Sequence, residues 1–301
     1  MTATARHAAL VAAACAALGA AVALQLARDR WYPRSDIQAA EILYVRSPAA
    51  MQRLALDHDS LLADVYWIRA VQYYGGNRLA PQLRKHHYEL LYPMLDITTS
   101  LDPHFNIAYR FGAIFLSEEY PGGPGRSDQA IALLRKGLAA RPDKWQYYLD
   151  AGFVNYFHLH DYRAAADWFS RGARLPNAPN WMPPLAAATL AKGNDRASSR
   201  FLWRQLLDSD QAWLRNAATR ALQQLDALDQ MDRLEEIVRR YPPPMGQPHS
   251  WIGLIRRGVL AGLPVDPTRT PYDIDPETGR VALSPSSSLN PMPFDTARQA
   301  R

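Results

Sequence analysis

Laid against itself, the chain falls into register with its own later segments. Ala130, Leu134, Gly137 and Pro142 recur as Ala165, Phe169, Gly172 and Pro176, at shifts of 35, 35, 35 and 34 residues. Ala197 and Phe201 continue the series 32 residues further on, and Leu91, Leu95, Thr98 and Pro103 fill the same slots upstream. The longer interval from Pro103 to Pro142 is explained by an insertion, Pro121-Gly122-Gly123-Pro124-Gly125. A period near 34 predicts stacked helix pairs, because one pair cannot bury its apolar face alone. Each slot has a reason. A small residue such as Ala130 or Ala165 lets two helices cross closely, and the bulky residue four positions on fills the groove on the same face. Pro ends the second helix of a pair because it cannot extend the hydrogen-bond ladder.

From Ile37 to about Leu260 the sequence reads as helix after helix, and no useful period-2 alternation occurs before residue 270. The expected fold is therefore all-α, a solenoid of about five helix pairs over residues 37–260. It is preceded by an apolar segment at 1–30 and followed by a hairpin and tail at 261–301. Gly112 and Gly152 sit within first helices despite a cost of about 1 kcal/mol against Ala, which predicts close helix approach there.

These residues resemble tetratricopeptide repeats (TPR). Phe111-Gly112 and Ala151-Gly152 match the first helix of that family's unit, and the Ala-Leu/Phe-Gly-Pro series matches the second helix and its end. Leu61 to Gly75 also resembles a group of membrane-anchored bacterial repeat proteins. The resemblance implies a right-handed superhelix whose concave face, lined by first helices, grips a segment of a protein partner. The family's groove positions fall on Asn106, Tyr109, Ala113 and Leu116, on Gln146, Leu149, Phe153 and Tyr156, and upstream on Trp67, Val71 and Tyr74. Tyr109 and Ala113 stand where a carboxylate clamp would place Lys and Asn, so an acidic chain terminus is not the expected ligand of that groove. The alternative for these aromatic side chains is packing between units.

Ala8 to Ala27 is an uncharged run of 20 residues flanked by Arg6 and Arg28. At 1.5 Å per residue it matches a hydrocarbon core of about 30 Å. Eleven of the 20 residues are Ala, and Ala21-Val22-Ala23 offers a cleavage site, so an inner-membrane anchor and a cleaved export signal both fit. Arg28, Arg30 and Arg34 favour a cytoplasmic body by the positive-inside rule, whereas the short basic leader favours an exported, periplasmic one. The exported arrangement is the reading adopted.

Chemistry is harder to find. No HExxH, GxSxG, Walker or GxGxxG pattern occurs, and the single Cys15 lies in the apolar run. His86-His87 point about 100° apart on a helix, and His158-Leu159-His160-Asp161 reads as a turn with Asp161 as a helix cap. Asp266, Asp273, Asp275 and Glu277 could hold Ca²⁺ only if brought together; solvation is the default. Tyr272/Ile274 and Val281/Leu283 alternate around Asp275-Pro276-Glu277-Thr278-Gly279, which predicts a β-hairpin. Ser284 to Arg301 is expected to be a tail or a strap over it. The charge of +5 comes from 34 basic residues, 30 of them Arg, spread without a block, so nucleic acid is not the expected partner. No catalytic residue, cofactor or metal is expected. The reading is a non-enzymatic scaffold tethered at the bacterial inner membrane, within a pilus, secretion or envelope-export assembly. The alternatives are an envelope enzyme that uses the solenoid to hold substrate, and a structural subunit with an apolar patch at Trp251 and Ile252.

Overall fold

The computed structural model describes residues 3–31, 47–79 and 88–292. Two compact units make it up: residues 1–102 with 121–124, and residues 103–120 with 125–301. The division falls inside residues 37–260, the expected repeat region. His86-His87 and residues 293–301 of the expected tail lie outside the described residues.

The first unit contains α1 (Ala3–Trp31), α2 (Pro48–Leu54), α3 (Asp59–Leu79) and α4 (Leu91–Leu101). Of α1, residues 12–28 are exposed on every side, with Leu18 and Leu24 each 71% exposed. Among the described residues no helix is long and apolar enough to cross a membrane. The expected anchor begins at Ala8, and the side chains of Ala8 to Val11 lie outside the described residues. Ser47 caps α2 by accepting from the Ala50 amide, and Pro48 takes the first turn, where its missing N–H costs nothing. Helix α3 buries Ala63, Tyr66, Ala70, Tyr73 and Asn77 in a 3.6-residue stripe and packs on α4, which buries Leu91, Leu95 and Thr98. All three of those α4 slots were named by the repeat.

The second unit continues with α5 (Asn106–Ser117), α6 (Ser127–Ala140), α7 (Trp145–Phe157), α8 (Tyr162–Ala173), α9 (Met182–Lys192) and α10 (Arg196–Leu206). Consecutive helices pack on one another, α5 with α6, α7 with α8 and α9 with α10. Ala130, Leu134, Ala165 and Phe169 are all fully buried, as their slots require. Asp161 caps α8 through the Ala164 amide, and Asp195 caps α10 through that of Ser198. The slots on α10 are corrected. Ala197 is exposed and Phe201 is 62% exposed, whereas Ser199 and Trp203 are buried. Ser199 Oγ donates to the Ala187 carbonyl at 2.8 Å, so the small residue that meets α9 lies two positions later than expected.

The fifth pair is also corrected. Residues 212–240 contain neither Gly nor Pro, and they form one helix, α11 (Ala212–Arg240), about 43 Å long at 1.5 Å per residue. Arg196 reaches Asp229 and Asp232 on it, and Arg200 reaches Asp226 and Asp229, at 2.5 to 2.9 Å. After α12 (Trp251–Arg256) come β1 (Tyr272–Ile274) and β2 (Val281–Leu283), antiparallel with Tyr272 opposite Leu283. The predicted hairpin is present. Its turn is held by Asp275 Oδ1, which accepts from the Glu277 and Thr278 amides, and by Gly279 at φ 72°. A Cβ on Gly279 would also fall 2.8 Å from Val238, so turn and helix meet there without room for a side chain.

The hairpin is not an appendage. Tyr272 and Val281 join Trp203, Leu225, Leu228, Met231, Trp251 and Leu254 in one core. Trp251 Nε1 donates to the Tyr272 carbonyl at 2.7 Å, so Trp251 is core, and only Ile252, at 61%, is exposed as the patch reading required. Residues 284–292 run as a strap, with Leu289 buried and Gln224 Nε2 donating to its carbonyl at 2.8 Å.

Candidate functional site

Helices α5 and α7 lie side by side in the second unit, and equivalent positions on them are 40 residues apart. Arg110 on α5 meets Asp150 on α7 in a two-point bond, Nε to Oδ2 at 2.6 Å and Nη2 to Oδ1 at 3.1 Å. One turn earlier stand Asn106 and Gln146, both half-buried. The side-chain oxygens of these two amides are buried and accept no hydrogen bond among the described residues. The Tyr147 hydroxyl is likewise buried and unpaired, and burial pushes its pKa up to about 12. Asn77 Oδ1 on α3 and Trp203 Nε1 on α10 are also buried without a partner among the described residues, but only here do three such atoms fall on two adjacent helices.

Three apolar side chains line the outer face of α5. Ile107, Phe111 and Ile114 follow the i, i+4, i+7 spacing and are 49%, 50% and 46% exposed. Further along α7 stand half-buried Phe153 and Tyr156 and exposed Phe157. Lys192, at the end of α9, places its ammonium 4.6 Å from the Tyr156 ring centroid and 5.5 Å from that of Tyr162.

The predicted groove residues divide. Asn106 on α5 and Gln146 on α7 are half-buried, whereas Phe153 and Tyr156, also half-buried, pack against the core of Leu149, Ala165, Phe169 and Met182. Tyr109, Ala113 and Leu116 are fully buried, and Leu149 nearly so. Tyr109 stacks on Tyr147 with centroids 5.3 Å apart and belongs to the core between α5, α6 and α7. Trp67, Val71 and Tyr74 lie on α3 in the first unit. Tyr74 is buried there, Trp67 is half-buried, and Val71 is exposed beside Leu61, Val65 and Ile68. The packing alternative therefore holds for Tyr74, Tyr109 and Leu116. Sequence reasoning missed Ile107, Ile114 and the Arg110–Asp150 bond, although opposite charges in equivalent slots 40 residues apart were a visible signal.

Burial raises the Asp150 carboxyl and outweighs the opposing pull of Arg110, while the bond to Asp150 raises the Arg110 guanidinium. The short two-point geometry is that of a charge-assisted pair. Arg110→Ala leaves an uncompensated carboxylate in the helix interface and is expected to cost about 2 kcal/mol, discounted because Arg110 is partly exposed. Adding Asp150→Asn should recover most of that loss in urea unfolding at pH 7. Equal costs with and without Asp150→Asn would show that the pair is not coupled.

The four acidic residues near the hairpin do not converge. Asp266 faces inward to Thr268, Thr270 and Ser287, and Asp275 serves its own turn. Among the described residues no group of three or more His, Cys, Asp or Glu is placed to hold a metal ion. No family model, curated protein or solved structure matches the chain.

Proposed function

We propose that this chain is a non-enzymatic scaffold of TPR type, tethered to the bacterial inner membrane by α1, that grips a segment of a protein partner along α5 and α7. The observation that carries the reading is the outer face of α5. A helix packed on one side by α6 and α7 should be polar on the other, yet Ile107, Phe111 and Ile114 lie in water. Beside them the buried amide oxygens of Asn106 and Gln146 have no donor among the described residues. Apolar side chains seated on the stripe and N–H groups directed at the amides would satisfy both. The tether is supported by α1, whose residues 12–27 carry no charge and are exposed all round. A body on the periplasmic side and service in a pilus, secretion or envelope-export assembly complete the reading.

The test is site-specific photo-cross-linking in native membranes. A photoreactive residue at Phe111 or Phe153 should give one protein adduct in common, and the same residue at exposed Arg135 on α6 should not. Ile107→Asp with Ile114→Asp should reduce the adduct at least tenfold while the unfolding free energy stays within about 0.5 kcal/mol of wild type, as for exposed sites. Equal labelling from Phe111 and Arg135 would overturn the groove.

A further inference from the structure

The segment joining α11 to α12, residues 241–250, has four prolines and is pinned at several points. Arg257 donates from Nη1 to the Pro242 carbonyl at 2.8 Å, from Nη2 to that of Tyr241 at 2.9 Å, and from Nε to that of Gly253 at 3.3 Å. The Gln247 amide donates to the Pro244 carbonyl at 3.0 Å, and the His249 amide to that of Pro276 at 2.9 Å. Between this held segment and α12 lies an open cavity of about 190 Å³, walled by Tyr241, Pro243, Pro244, Pro248, His249 and Leu254. Its walls do not depend on a ligand for their shape, because the Arg257 guanidinium and the Pro rings fix them.

Arg256 also lines the cavity, and it is exposed. It makes no hydrogen bond or ion pair among the described residues, unlike Arg257, whose guanidinium is engaged by three carbonyls. The volume is enough for one ring or a short branched chain, and the lining mixes apolar walls with polar groups, Gln247, Ser250 and Arg257 standing among them. Pro, Tyr and Leu walls supply apolar contact, and an unengaged guanidinium supplies two parallel donors suited to a carboxylate.

We propose that this cavity binds an apolar carboxylate, with the ring or aliphatic chain between the Pro-rich segment and Leu254 and the carboxylate on Arg256. The ligand is either the C-terminal residue of a partner chain or a free aromatic or aliphatic acid; both present the same two groups. The site is separate from the α5–α7 face and stands whether or not that face binds a partner.

Titration calorimetry on the full chain tests it with phenylacetate, phenylacetamide, and a pentapeptide ending in Phe with a free or an amidated terminus. The expected result is saturable binding of the carboxylate forms, at least tenfold weaker for the matching amides and at least tenfold weaker in Arg256→Ala. That variant should unfold with wild-type midpoint, since Arg256 has no partner to lose; the acid-against-amide comparison on the unaltered chain stands even without it. Tighter binding of the free-terminus peptide than of phenylacetate identifies a chain end as the source, and the reverse order identifies a free acid. Equal binding of acid and amide, or no saturable binding of phenylacetate and peptide alike, overturns the proposal.

Discussion

Phe169→Ala is expected to destabilise the second unit by about 3–5 kcal/mol, a value set by the size of the ring and the cavity it would leave. Phe169 is fully buried among Leu149, Ala165, Met182 and Ala186, and its ring meets that of Phe153 edge-on at 5.4 Å. It also lies directly over Gly152. A Cβ added there would fall 2.2 Å from Cε1 of the ring and 2.4 Å from Cδ1, far inside contact distance. Gly152→Ala should therefore cost about 1–3 kcal/mol by overpacking, against the small gain a helix usually draws from that change. The two sites are coupled by geometry. In a Phe169→Leu background the shorter side chain leaves space, and Gly152→Ala should lose most of its cost. Urea unfolding of the four chains reads this directly, and an unchanged Gly152→Ala penalty would mean that α7 and α8 do not cross at this point.

Phe169 was legible because the period placed it in a large-residue slot, and Gly152 because a glycine kept inside a helix marks a close approach. Leu91, Leu95 and Thr98 were legible from the same period. On α10 the same arithmetic went astray by two residues. Ala197 and Phe201 satisfy the small-then-large pattern in sequence, but so do Ser199 and Trp203, at a shift of 34 from Ala165 and Phe169. Only packing chooses between them, and Ser199 wins because its hydroxyl meets the Ala187 carbonyl inside the α9–α10 contact. The long α11 was legible in principle, since residues 212–240 lack any Gly or Pro at which a pair could turn. Family-derived groove positions were the least secure. They assume one fixed rotation of each first helix, and α5 is turned so that Tyr109 and Leu116 face the core while Ile107, Phe111 and Ile114 face water. No sequence period reports that rotation. The Arg110–Asp150 bond would have, because a two-point contact between equivalent slots fixes how α5 and α7 face each other.

Asp266→Ala should have the second largest effect, about 3 kcal/mol, concentrated on the strap. Asp266 is 3% exposed and its carboxylate accepts from the amides of Thr268 and Thr270 and from the hydroxyls of Thr268 and Ser287. Through Ser287 it ties residues 284–292 to the hairpin, and Leu289 and the Gln224 bond follow from that tie. Alanine leaves these donors buried and unpaired, at about 1–3 kcal/mol each before water relieves some of them. Asp266→Asn keeps one acceptor oxygen and should cost about half as much. Burial alone would push the Asp266 carboxyl up, but the bonds from Ser287, Thr270 and Thr268 outweigh it and hold it below the ordinary carboxylate range. A carboxyl depressed in the folded state contributes stability that is complete above its unfolded value of about 3.9 and is lost as the pH falls through the folded value. The strap should therefore stay closed from neutrality down to about pH 4 and loosen only in stronger acid. Amide hydrogen exchange at Ser287, Leu289 and Asn290 reports the loosening. Wild-type chains should lose protection there below about pH 4 relative to α11, and Asp266→Asn should show faster exchange with no such acid step. An acid step that persisted in Asp266→Asn would assign the tie to another group.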